Sequence, residues 1–195
     1  MDRSEPALTL FEFISVAYSL VLSFAMVRLL GGASDAFAPG RRYWLHCAWL
    51  CLQVLGVLTA WWTFWSYRTL EWNVFRFLAI IASPGLVYLQ ASALIPPDPS
   101  SVDCWKDHYF RTRHLMFGAG AIGLVLLGIH SYVLLDFPLL HPRRALNVVM
   151  IAGMTVAAAS GRKWVHALIT VGYAIGLVLF FTTFVFNPDS WVLQR

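Results

Sequence analysis

The feature that most constrains the fold is a recurrence of apolar runs, most of about twenty residues, separated by short polar or Gly/Pro-containing breaks. At ~1.5 Å per helical residue, such a run crosses the ~30 Å hydrocarbon layer of a bilayer. A water-facing surface also needs charge, near ~25% of residues in soluble domains. Here 12% of residues are charged and 59% are hydrophobic. Backbone polar groups in lipid must be satisfied within the spanning segment, which leaves helices as the reading for runs without strict alternation. The expected fold is all-α, an integral membrane bundle of about six transmembrane helices forming a single domain over residues 1–195. The expected spans are 8–30, 43–67, 72–95, 115–135, 145–159 and 164–186.

The breaks have physical causes. Gly31-Gly32 ends the first run, Pro96-Pro97 the third, Asp136 with Pro138 the fourth and Asn187-Pro188 the sixth. The fifth run is short and rich in small residues (Ala152, Gly153, Ala157), which suits close helix packing; its rival is a re-entrant segment. Residues 98–114 are expected to be the one substantial loop, with an amphipathic stretch lying on the headgroups. Ala36-Phe37-Ala38 has the look of a signal-peptidase site. The preceding run is too long for a signal peptide and is led by Asp2 and Glu5, so it is expected to stay as the first helix.

Charge placement excludes several function classes. The net charge of +4 comes from Lys and Arg scattered singly and in pairs at the ends of apolar runs, with no basic block, so nucleic acid is not an expected partner. Membrane lipids are. Of the loops, one side carries Arg3, Arg68, Arg76, Arg143, Arg144 and Arg195, and the other eight Lys or Arg residues. The positive-inside rule then places both termini on the periplasmic side. The three cysteines form no disulfide framework. Asp103, Cys104, Asp107, His108 and His114 include pairs at i, i+4, but an amphipathic segment explains their mixture without a metal, and no metal site is expected.

Polar side chains inside spans are the best pointers to function. On the first span Glu12, Ser15, Ser19 and Ser23 share a face, either as a polar path with an acid at one end or as a small-residue ridge for helix packing. The second span carries His46 and Gln53. The third carries Arg76, Ser83 and Gln90 at seven-residue spacing, with Pro84-Gly85 as a candidate hinge. His130 and His166 lie on the fourth and sixth. Alternate crossing puts Glu12, Arg76, His130 and Asp136 towards one surface, where they could form an ion-pair network or a proton site. His46, His166 and Gln90 lie towards the other. A b-type haem between His46 and His166 would be the cofactor this layout allows. Each sits a turn or less inside its span, a depth that suits interfacial histidines better.

Phe11-Glu12-Phe13-Ile14-Ser15-Val16, Trp44-x-His46-x-x-Trp49, Trp61-Trp62 and Asp107-His108-Tyr109-Phe110-Arg111 resemble an uncharacterised group of bacterial multi-pass membrane proteins. The resemblance implies a bacterial cytoplasmic membrane and no particular activity. Three function classes fit. The first is a small oligomeric channel or transporter for ions, protons or a small solute, which predicts that Glu12, Ser19 and Gln53 line one hydrated cavity. The second is an accessory or assembly subunit of a larger membrane complex, which predicts helix faces of small or polar residues for a partner. The third is a membrane redox or lipid-modifying enzyme. The chain is expected either to form a homo-oligomer or to join such a complex.

Overall fold

The computed structural model describes residues 9–136 and 142–182. The expected limits of the first and sixth spans at positions 8 and 186, and the stop at Asn187-Pro188, lie outside the described residues. Those residues form helices α1 (Leu10–Gly31), α2 (Ala33–Ala36), α3 (Trp44–Phe64), α4 (Val74–Leu94), α5 (Trp105–Val133), α6 (Pro142–Ala159) and α7 (Lys163–Phe180), with no strand among them. Among the described residues five helices are long and apolar enough to cross a membrane: α1, α3 with its 3-10 extension to Tyr67, α4, α5 and α7. The chain is a multi-pass helical membrane protein.

Local chemistry sets the helix ends. Thr9 and Glu12 form a capping box at the start of α1. The Thr9 hydroxyl accepts from the Glu12 N–H, and the Glu12 carboxylate accepts from the Thr9 N–H at 2.7 Å. Asn73 caps α4 by accepting from the Arg76 N–H at 2.9 Å. Pro84 sits buried inside α4, which continues as one helix through it and Gly85 to Leu94.

The helices alternate in direction, and two ends of the bundle can be distinguished. At the first, Phe11 stacks on Phe64 at 5.3 Å between ring centres, and Tyr18 stacks on Phe64 at 4.3 Å. At the second, the Arg28 guanidinium donates to the Pro96 carbonyl at 3.4 Å, and Arg41 donates to the carbonyls of Ser100 and Val102. The shorter helix α6 lies antiparallel along α5: the Asn147 amide donates to the Leu124 carbonyl, and the Arg144 guanidinium to the Gly128 carbonyl. Its 18 residues rise about 27 Å, a little less than the hydrocarbon thickness.

One expectation is corrected here. Residues 98–114 are not one loop: a 3-10 turn at Pro99–Ser101 leads into α5, which starts at Trp105. The 29 residues of α5 rise about 43 Å, so its first turns stand beyond the hydrocarbon while remaining one helix with the span. They are not laid on the headgroups. Trp105, His108 and Tyr109 are buried against α2, α3 and α7, and the Trp105 indole donates to the Asp35 carbonyl at 3.0 Å.

Candidate functional site

Two features inside the bundle gather the polar groups: a histidine–aromatic cluster at the second end and a cavity running from mid-bundle to the first end.

In the cluster, His46 of α3, His108 and Tyr109 of α5, and His166 of α7 meet around Trp49, Trp105 and Phe117. The partners fix the tautomer of His166. Its Nε2 lies 2.8 Å from the Ser160 carbonyl, which only accepts, so Nε2 carries the proton. Its Nδ1 is then an acceptor, and the Tyr109 hydroxyl donates to it at 3.0 Å. Ser160 follows the last residue of α6, so His166 satisfies a carbonyl at that helix end and ties the tight α6–α7 turn to α5. The Trp49 indole donates to the Thr170 hydroxyl at 2.9 Å, and Thr170 donates to the His166 carbonyl at 2.6 Å. His108 Nε2 faces the carbonyls of Ala93 and Leu94 at 3.2 and 3.1 Å and is likewise the protonated nitrogen. His46 differs. It is 0% exposed, both ring nitrogens lack a hydrogen-bond partner, and it lies 4.4 Å from Trp105 and 6.1 Å from His108 between ring centres.

This geometry bears on the haem reading. An axial imidazole must offer a ring nitrogen to iron, and both nitrogens of His166 are engaged by protein. Neither His46 nor His166 lines the cavity. Among the described residues no group of three or more His, Cys, Asp or Glu side chains is placed to hold a metal.

The cavity has a volume of about 260 Å³ and is walled by α1 and by α3 to α7. Along α5 it extends from Gly120 to Ser131, about 16 Å at the helical rise, and Leu135 beyond the helix end also lines it. Gln53 and Gln90 stand in its inner part, and His130, Ser131 and Asn147 towards its outer part. The Trp49–Phe117 contact, edge-on at 4.9 Å, packs between Gln53 and the histidine cluster. No Asp or Glu lines the cavity among the described residues.

The expected polar residues therefore separate into groups. Gln53, Ser83, Gln90 and His130 line the cavity. His46 and His166 belong to the cluster. The stripe on α1 faces elsewhere and is satisfied locally: Ser15 donates to the Glu12 carbonyl at 2.7 Å, Ser23 to the Ser19 carbonyl at 2.8 Å, and the Trp61 indole donates to Ser19 at 3.0 Å. Glu12 is exposed at its cap, where the Thr9 backbone and hydroxyl hold its carboxylate. The expected ion-pair network of Glu12, Arg76, His130 and Asp136 does not form. Arg76 donates to the Glu71 carbonyl, Glu12 is taken by Thr9, and Asp136 is exposed at a left-handed turn residue. The sequence reading missed Tyr109, Trp105 and Gly120 as members of these two features.

These observations define a class, a polytopic helical membrane protein with a sealed histidine–aromatic end and an inner cavity. Over 115 residues, 58% of this chain, the sequence is 31% identical to the cytochrome c-type biogenesis protein CcmF of Pseudomonas aeruginosa. The match covers 17% of that protein, so the chain spans less than a fifth of its relative's length. No family model matches the chain, and no solved structure matches it.

Proposed function

We propose that the chain is an accessory or assembly subunit of a larger complex in a bacterial cytoplasmic membrane, acting in the biogenesis of c-type cytochromes. The observation that carries this reading is the likeness to a stretch of a cytochrome c-type biogenesis protein. The polar groups support it. Ser15 and Ser23 bond to their own helix, His166 and Thr170 tie helices together, and the cavity residues do not include Glu12 or Ser19. Among the described residues the cavity lining has no carboxylate, and its one histidine, His130, stands without an acidic partner there. With α6 taken as a sixth crossing, both termini face the periplasm. The outward faces carry large apolar side chains, such as Phe13, Leu20, Phe24 and Val27 on α1, so a partner helix would dock through apolar packing and not through the small or polar face first expected.

The test is deletion of the chain in its own host, followed by haem staining of membrane proteins and reduced-minus-oxidised spectra. The proposal expects loss of covalently bound haem from c-type cytochromes with b-type signals retained. Normal cytochrome c content, together with solute or proton flux through liposomes containing the pure chain, would replace this reading by the channel.

A further inference from the structure

The cavity has features that neither helix packing nor the assembly reading uses. Gln53 is 6% exposed, and its side-chain nitrogen has no hydrogen-bond partner. Gln90, 8% exposed, lines the same space from α4, and its amide oxygen lies beside Gly120, 3.0 Å from where a Cβ would stand. A buried amide nitrogen without a partner, as in Gln53, costs about 1–3 kcal/mol, and the Gln90 amide on a separate helix lines the same space. Glycines keep that space open. A Cβ on Gly123 would meet only Leu86, at 3.9 Å, so this glycine does not serve a close helix crossing. The remaining walls are apolar, with Ile80, Val87, Leu124, Met150 and Leu177 among them.

We propose that this cavity is a binding site for a neutral, membrane-soluble molecule with an apolar body and one hydrogen-bonding carbonyl, its oxygen held by the amide of Gln53 with Gln90 beside it. Neutrality follows from the inner part, where no charged side chain would compensate a buried ionic head. The carbonyl follows from the unpaired amide nitrogen, a donor that needs an acceptor and that comes to the cavity face when the Gln53 amide turns over about its last bond. The size follows from the volume. A dry cavity of about 150 Å³ admits benzene, so 260 Å³ admits a two-ring aryl ketone or a comparable ester. The site stands apart from the assembly reading, because the isolated chain should bind such a molecule whether or not a partner protein exists.

The probe is the naphthyl ketone Prodan, whose emission shifts to the red when its carbonyl accepts a hydrogen bond. It is titrated into the pure full-length chain in mild detergent, with energy transfer from protein tryptophan separating bound probe from probe in micelles. Wild type should show saturable one-to-one binding with red-shifted emission. Gln53→Leu, which keeps the cavity apolar and removes the donor, should weaken binding about five- to tenfold and shift the emission to the blue. Gly123→Leu should abolish saturable binding by filling the space. Met150→Phe fills it from α6 and serves if Gly123→Leu does not fold. Circular dichroism and gel filtration confirm the folded state of each variant. Transfer that rises without saturation in wild type, or saturable binding unchanged by Gln53→Leu and by both filling variants, overturns the proposal.

Discussion

Removing one hydroxyl, Tyr109→Phe, tests whether the histidine cluster is a structural clamp. Tyr109 is 0% exposed, and its hydroxyl donates at 3.0 Å to Nδ1 of His166, whose Nε2–H is committed to the Ser160 carbonyl. The change adds no atoms and leaves the ring packing against Phe117, at 6.0 Å between centres, in place. What it leaves behind is a buried imidazole lone pair walled by Phe110 and Phe117 at 5.1 and 5.4 Å. An unsatisfied buried acceptor costs about 1–3 kcal/mol in water-soluble proteins. Hydrogen bonds between membrane helices average ~0.6 kcal/mol, with a maximum near ~1.7, because the membrane-bound unfolded state finds other partners. Tyr109 lies in the first turns of α5, beyond the hydrocarbon, so the expected loss is about 1–2 kcal/mol, or roughly 2–8 °C in Tm for a chain of this size. The assay is thermal unfolding in mild detergent followed by circular dichroism, as a double-mutant cycle with His166→Leu. The cycle should return a coupling of the same order, since either single change already breaks the pair. Strictly additive single changes would refute the clamp.

Other consequences follow from individual contacts. Gly32 packs so closely on Ile95 that any Cβ would overlap it, whereas a Cβ on Gly31 meets nothing within 4 Å. Gly32→Val should therefore cost about 1–3 kcal/mol and Gly31→Val nothing measurable in the same unfolding assay. Thr170→Val leaves the Trp49 indole N–H without its acceptor and should lower Tm, and in a cycle with Trp49→Phe the two losses should be less than additive. Glu12→Gln keeps a capping-box side chain at an exposed position outside the cavity, so it should change neither unfolding temperature nor cytochrome c content.

Much of the fold is legible in the sequence because bilayer thickness and backbone hydrogen bonding leave few options for an apolar run. The start of α5 was not, and the reason is specific. Lys106, Asp107, Arg111, Arg113 and His114 lower the hydropathy before Leu115, so a window tuned to lipid reads a loop. Yet Trp105, His108, Tyr109, Met116 and Phe117 are buried on one helical face, a spacing of three and four that marks a helix continuing beyond the membrane. The candidate site was legible only in part. Sequence shows which positions in a span are polar, but not where each side chain sends its hydrogen bond. Ser15, Thr170 and Gln90 look alike in one dimension. They end in a bond to their own helix, a bond between helices and a cavity wall, because helix rotation and neighbours decide among the three. Gly123 likewise reads as a packing glycine until the space in front of it is seen, whereas Gly120 is closely packed on Gln90 and Met154.

The most direct test of an assembly role is purification of the tagged full-length chain from its own host's membranes in mild detergent, with mass by light scattering and identification of every stoichiometric band. An assembly subunit should run as a complex heavier than the chain alone, containing a second membrane protein in fixed ratio. A homo-oligomer without a partner, from cells whose c-type cytochromes are unchanged when the chain is deleted, would contradict it.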